Sequence, residues 1–133
     1  MSDYVTDTHG LIWYLEDSPR LGVEAKAAFD ACDRGAALIY VPTICLVELV
    51  YLCEKGRIPW RLWEQFHTAL LADATGLRVT DLTVSVVDAL LKISRDAVPD
   101  MPDRIVAATA LDLGLPLISR DRKIVSAALT TLW

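Results

Sequence analysis

Long apolar runs, paired cysteines and an excess of positive charge are all missing from this 133-residue chain, and each absence removes a class of protein. The longest uncharged stretch, Gly35 to Val47, has 13 residues, contains Pro42 and ends at Glu48. A bilayer takes about 20 apolar residues to cross, so no membrane span is expected. The start, MSDYVTD, has neither the basic residues nor the apolar core of a secretory signal, which leaves a cytoplasmic location as the expectation. Cys32, Cys45 and Cys53 form no CxxC pair, and an odd number fits no disulfide framework. They read as small buried apolar residues. His9 and His67 are far apart and lack zinc-type spacing. A formal net charge of −5 weighs, in bulk, against a nucleic-acid partner. No repeat, low-complexity segment or linker divides the chain, so a single domain over 1–133 is expected.

What the chain does have is apolar content: 53% of it is hydrophobic and the mean hydropathy is +0.35. Without a membrane span, that surplus points to contact with another protein chain. Short β-branched runs alternate with longer helical stretches. Strands are expected at YVTD (4–7), ALIYV (37–41), LRVTDL (77–82), PLISRD (116–121) and LTTLW (129–133). Helices are expected at 8–17, 23–35, 43–56, 59–76, 83–94 and 101–114, with a short helical turn at RKIVSA (122–127). Strands separated by helices of this length indicate an α/β sandwich: a mostly parallel central sheet with helices on both faces. The functional crevice of such a sheet lies beyond the carboxyl ends of its strands.

MPDRIVAATALDLG (101–114) opens on an acid, and a carboxylate at a helix start is ordinarily a cap. Of three other acids, Asp7 and Asp121 each read either as a turn or cap residue or as a functional one, and Glu48 is harder to explain that way. Asp7 follows the first strand, at the carboxyl edge. Asp121 follows LPLIS, at the same edge of another strand. Glu48 lies on a helix whose neighbours one turn away are Ile44, Cys45, Tyr51 and Leu52. An ionised carboxylate on so apolar a helix needs a cation, hydrogen bonds or an opening to water. Asp100 sits one turn before Asp103, placed either to share its face or to cap the helix. Gathering Asp7, Glu48, Asp103 and Asp121 is costly without a counterion, because like charges raise each other's pKa. A hard divalent cation with oxygen ligands resolves the cost. On this reading Asp103 is a ligand and not a cap.

At these residues the chain resembles the PIN-domain ribonucleases, especially the VapC-type toxins of prokaryotic toxin–antitoxin pairs. DTHGLIWYL is similar to the family's opening and supplies Asp7. VPTICLVELVYLCEKGRI resembles the segment with the second acid, Glu48. DRIVAATALDLGLPLISRDRKI resembles its most recognisable block and supplies Asp103 and Asp121. Two departures stand out: Cys45 replaces a serine common one turn before the glutamate, removing a hydroxyl contact, and DMPD displaces the usual proline by one. The resemblance implies a PIN-like α/β/α sandwich and a Mg²⁺-dependent endoribonuclease, with Mn²⁺ as a substitute. It implies an RNA substrate, a cognate antitoxin and a homodimer. The same four acids, Asp7, Glu48, Asp103 and Asp121, are its implied metal ligands and catalytic residues.

The composition is compatible with this. The apolar helix 43–55 suits a segment packed on both sides, and Trp60, Trp63 and Phe66 either extend such an interface or form an aromatic core. Without the four acids, the 18 Asp and Glu fall to 14 against 13 Lys and Arg. Arg104, Arg120, Arg122 and Lys123 flank the acids, either as phosphate contacts or as a solvated helix end. A haloacid-dehalogenase-type phosphatase requires an Asp where His9 stands, and the central Asp and late Lys of a receiver domain are not found. The alternative from another class is a non-catalytic PIN-like binding module that keeps the fold and the partner interface.

Overall fold

A computed structural model describes residues 2–72, 74–121 and 129–133. In chain order the elements are β1 (Ser2–Thr6), α1 (Thr8–Leu15), α2 (Val23–Asp33), β2 (Ala37–Pro42), α3 (Thr43–Glu54) and α4 (Trp60–Leu71), then β3 (Leu77–Thr80), α5 (Val84–Leu90), α6 (Met101–Leu113), β4 (Leu117–Ile118) and β5 (Thr131–Leu132). The strands form one sheet in the order β3-β2-β1-β4-β5, and every pair is parallel. Val5 is the hinge of the register, opposite Tyr40 on one side and Leu117 on the other. The first three strands extend the sheet in one direction and β4 returns to the far side of β1. That reversal places the topological switch point, where α/β sheets carry their crevice, between β1 and β4.

β-branched and aliphatic residues make these strands: Val5, Ile39, Val41, Leu117 and Ile118 are fully buried, as strands covered on both faces require. Helix α2 packs against β2, and α6 against β1 with α5 beside it. Tyr14 stacks on Phe29 with ring centroids 4.4 Å apart. All three cysteines are free and buried, as their composition suggested. The aromatic cluster of α4 divides: Phe66 is core, Trp63 is half-buried and Trp60 is exposed.

Several expected elements are shorter, each for a local reason. The strand expected at 116–121 is β4, ending at Ile118, because the Asp121 N–H turns back to Ser119 Oγ at 3.1 Å. The helix expected to reach 94 stops at Leu90. Arg104 takes the carbonyls of Leu90 (3.1 Å) and Ile93 (3.0 Å) with its guanidinium. Helix α1 closes at Leu15, and Asp17 adopts φ 53° just beyond it. The expected turn at 122–127 lies outside the described residues.

Gly76 is where β3 enters the sheet. Its N–H donates to Cys32 O at 2.8 Å, and its carbonyl accepts from the Ile39 N–H at 3.0 Å. A Cβ there would stand 1.7 Å from the Ala37 carbonyl oxygen. Gly76→Ala is therefore expected to cost about 3 kcal/mol through overpacking against backbone, read as a lower urea midpoint at unchanged slope.

Candidate functional site

Asp7 ends β1 and caps α1 in the same step. Its N–H donates to Ile118 O at 3.1 Å, and its Oδ1 accepts from the Gly10 N–H at 2.7 Å. The residue is only 8% exposed. Burial raises its pKa above the usual carboxylate value, against the pull of the Gly10 N–H and the Ser119 hydroxyl; Asp121 adds a smaller upward push.

Helix α6 divides the two tasks that its sequence left open. Asp100 is the N-cap, accepting from the Asp103 N–H at 3.2 Å, with Pro102 in the first turn. Asp103 is thereby released from capping. Its carboxyl is pushed up to about 7, first by burial and then by the charges of Asp100, Asp121 and Glu48. Asp103, Asp7 and Asp121 line one cleft of about 240 Å³ at the switch point, together with His9, Trp13, Arg120 and Trp133.

Glu48 stands beside this cleft and is not part of its lining. Thr8 Oγ1 donates to Glu48 Oε1 at 2.5 Å. Burial raises the Glu48 pKa, the Thr8 hydroxyl lowers it, and Asp100 and Asp7 push it upward again. Thr8 thus supplies the hydroxyl that Cys45 does not, and Cys45 instead lies fully buried with Sγ 3.9 Å from Thr6 O. The structure therefore brings three of the four expected acids into one cleft and holds the fourth within electrostatic reach. Among the described residues, no three His, Cys, Asp or Glu side chains stand close enough together to hold a metal ion as placed.

Thr8 and Ser119 are polar residues of the site that sequence reasoning passed over. Their only signal was adjacency, one residue after Asp7 and two before Asp121. His9, given no metal role on its spacing, lines the cleft. Arg104 donates through Nε to Ile93 O at 3.0 Å and through Nη2 to Leu90 O at 3.1 Å, which ties part of its guanidinium to the end of α5. Arg122 and Lys123 lie outside the described residues.

A parallel sheet with an acidic cleft at its switch point defines an α/β protein. The PIN domain family model matches residues 4–129, and the chain belongs to the PIN-domain family. It is 28% identical over 124 residues to Ribonuclease VapC22 of Mycobacterium tuberculosis, covering 93% of this chain and 91% of that protein. It is similar in fold to a chain of VapBC2 from Rickettsia felis bound to a DNA fragment from their promoter, with TM-score 0.74, 14% identity and coverage of 98% and 97%. DNA-bound VapBC from Salmonella typhimurium gives TM-score 0.71 at 17% identity, with coverage of 99% and 98%. Among the described residues no helix is long and apolar enough to cross a membrane.

The raised pKa of Asp103 has a sign that can be measured. Between 3.8, its ordinary value, and about 7 the folded chain holds a proton that the unfolded chain has released. Its contribution to stability is full below that window and is lost as pH rises through it. With chelator present, the melting temperature is expected to fall between pH 4.5 and 7.5, and to fall less in Asp103→Asn.

Proposed function

We propose that this chain is a Mg²⁺-dependent endoribonuclease, with Mn²⁺ as a substitute, that hydrolyses RNA phosphodiester bonds in the cytoplasm as the toxin of a toxin–antitoxin pair. The observation that carries the reading is the convergence of Asp7, Asp103 and Asp121 on one cleft, with Asp103 raised to about 7 by burial and its acidic neighbours. The name Ribonuclease VapC22 supports the ribonuclease, and the similarity in fold to a toxin-antitoxin complex from Klebsiella pneumoniae supports the antitoxin.

The residues fit a hard divalent cation. The donors are all carboxylate oxygens, and their mutual repulsion is what such a charge relieves. An open cleft suits Mg²⁺ better than a closed cage does, since Mg²⁺ keeps several waters and takes one or two carboxylates beside a phosphate. Asp7, Asp103 and Asp121 would hold it, with Glu48 acting directly or through water. When bound, the cation neutralises charge on the phosphodiester and lowers the pKa of the attacking water. The chain's own part is positional. The Gly10 N–H and Ser119 fix Asp7, Thr8 fixes Glu48, and the Asp100 cap holds the first turn of α6 under Asp103. No histidine or lysine base is required.

A homodimer belongs to the same proposal. Tyr51 on α3 is 58% exposed and Leu91, just past α5, is 79% exposed. Val47 lies one turn from Tyr51, and Val84 and Val87 precede Leu91 at helical spacing; all three are exposed. Both helices pack against α6, and a partner that covered both stripes would form the dimer. Tyr51→Glu combined with Leu91→Glu is expected to halve the mass measured by sedimentation without lowering helix content.

For the site, Mn²⁺ is expected to raise the melting temperature of the wild-type chain by several degrees. A ligand at ~100 times its dissociation constant stabilises by about 2.7 kcal/mol. Asp7→Asn and Asp103→Asn should each shrink that rise and reduce cleavage of single-stranded RNA at least about 100-fold. Equal rises in all three proteins would return the acids to caps and turns and favour the non-catalytic module.

A further inference from the structure

The cleft is lined by two unlike sets of side chains, and the acids account for only one. The other set is organised around Trp13, which is 8% exposed. The Arg120 guanidinium lies 4.5 Å from the centre of the Trp13 ring and that of Arg20 lies 5.8 Å away. The Trp133 ring meets Trp13 edge-on, at 5.5 Å and 73°, and the His9 ring lies at 5.4 Å. Trp133 is itself seated, its carbonyl accepting from the Glu24 N–H at 3.1 Å. No step assigned to the carboxylates uses any of these groups.

Arg120 and Arg104 show how differently one residue type is employed here. Arg104 donates to two carbonyls. Arg120 is exposed and held through the π face of Trp13. Such contact fixes a guanidinium within about 6 Å of a ring centre and leaves its N–H edge for an anion. The Lys26–Asp30 ion pair is remote from the cleft lining. A fixed guanidinium beside exposed imidazole and half-buried indole is the composition that binds single strands: a phosphate on the cation, a base on the ring.

We propose that the Arg120–Trp13 stack, with His9 and Trp133 beside it, is the subsite that holds the single-stranded RNA substrate next to the bond to be cut. Arg120 takes a phosphate adjoining the scissile one, and the rings of His9 and Trp133 receive the neighbouring base. Stacking accepts any base, so this subsite contributes affinity and register with little sequence preference. It rests on the ribonuclease reading of the adjacent acids, and the test separates the two.

The probe is a labelled ten-nucleotide single-stranded oligoribonucleotide of mixed sequence. Its anisotropy is followed with Mg²⁺ at several salt concentrations, in an Asp103→Asn background that prevents cleavage. Adding Arg120→Ala is expected to weaken binding about tenfold and to reduce the salt slope by about one counterion. Arg120→Lys should recover the salt slope and only part of the affinity, since it keeps the charge and loses the planar contact. His9→Ala, at an exposed position, should weaken binding at least about fivefold. Affinity within twofold of the parent in both Arg120→Ala and His9→Ala would overturn the subsite, and so would a parent that fails to bind. Cleavage by the wild-type chain with unaltered binding in Arg120→Ala would sink the subsite alone. Weakened binding in Arg120→Ala with no cleavage by the wild-type chain would sink the ribonuclease reading alone.

Discussion

The Asp7 N–H donates to Ile118 O at 3.1 Å, the last rung joining β1 to β4 before the two strands part. Below that rung the backbone is committed to the ladder. Above it one residue must end a strand, begin a helix and place a carboxylate in the gap between strands. Asp7 manages this because its side chain replaces the ladder partner, accepting from the Gly10 N–H as α1 starts. The turn is tight enough to exclude a side chain at position 10, where a Cβ would meet Thr6 Oγ1 at 2.8 Å and Asp7 Oδ1 at 3.1 Å. The location of the cleft therefore follows from the parallel pairing of one central strand.

Burial and repulsion then act together on the acids that the sheet edge collects. Asp7, Glu48 and Asp103 all have raised pKa values, with desolvation as the largest cause in each. In a fold selected for stability alone, such groups would be neutral side chains or would face water. Here Asp7 and Glu48 are instead fixed by neutral donors: Gly10 and Ser119 for the first, and Thr8 for the second. Asp100 serves α6 in its own way, capping it by accepting from the Asp103 N–H. Neutral donors orient a carboxylate without cancelling its charge, which leaves the cleft attractive to a cation.

Much of this was legible in the residues, and the rest was hidden for identifiable reasons. The alternation of apolar runs indicated the parallel sandwich, and Asp7 and Asp121 followed from their places after strands. Glu48 was conspicuous because nothing around it is polar. The role of Asp100 was open, because both Asp100 and Asp103 can occupy a helix start and only the observed turn shows which carboxylate receives the N–H. Thr8 escaped notice because its partner is 40 residues away, a distance over which one-dimensional spacing carries no information. Strand β4 and helix α5 were read too long because Ser119 and Arg104 end them through side chains, which periodicity does not register.

The bulk charge of −5 illustrates the same limit in electrostatic terms. Counting carboxylates against cations treats each guanidinium as equivalent, yet Arg104 donates to carbonyls at the end of α5 while Arg120 stands on an indole in the cleft. What a phosphate meets is the local arrangement, and screening over about 10 Å at moderate salt removes most of the remainder. An anionic polymer approaching this cleft encounters acids whose repulsion calls for a cation, next to a cation whose fixation calls for an anion. On the proposed reading, a divalent ion would meet the first set and a phosphodiester the second.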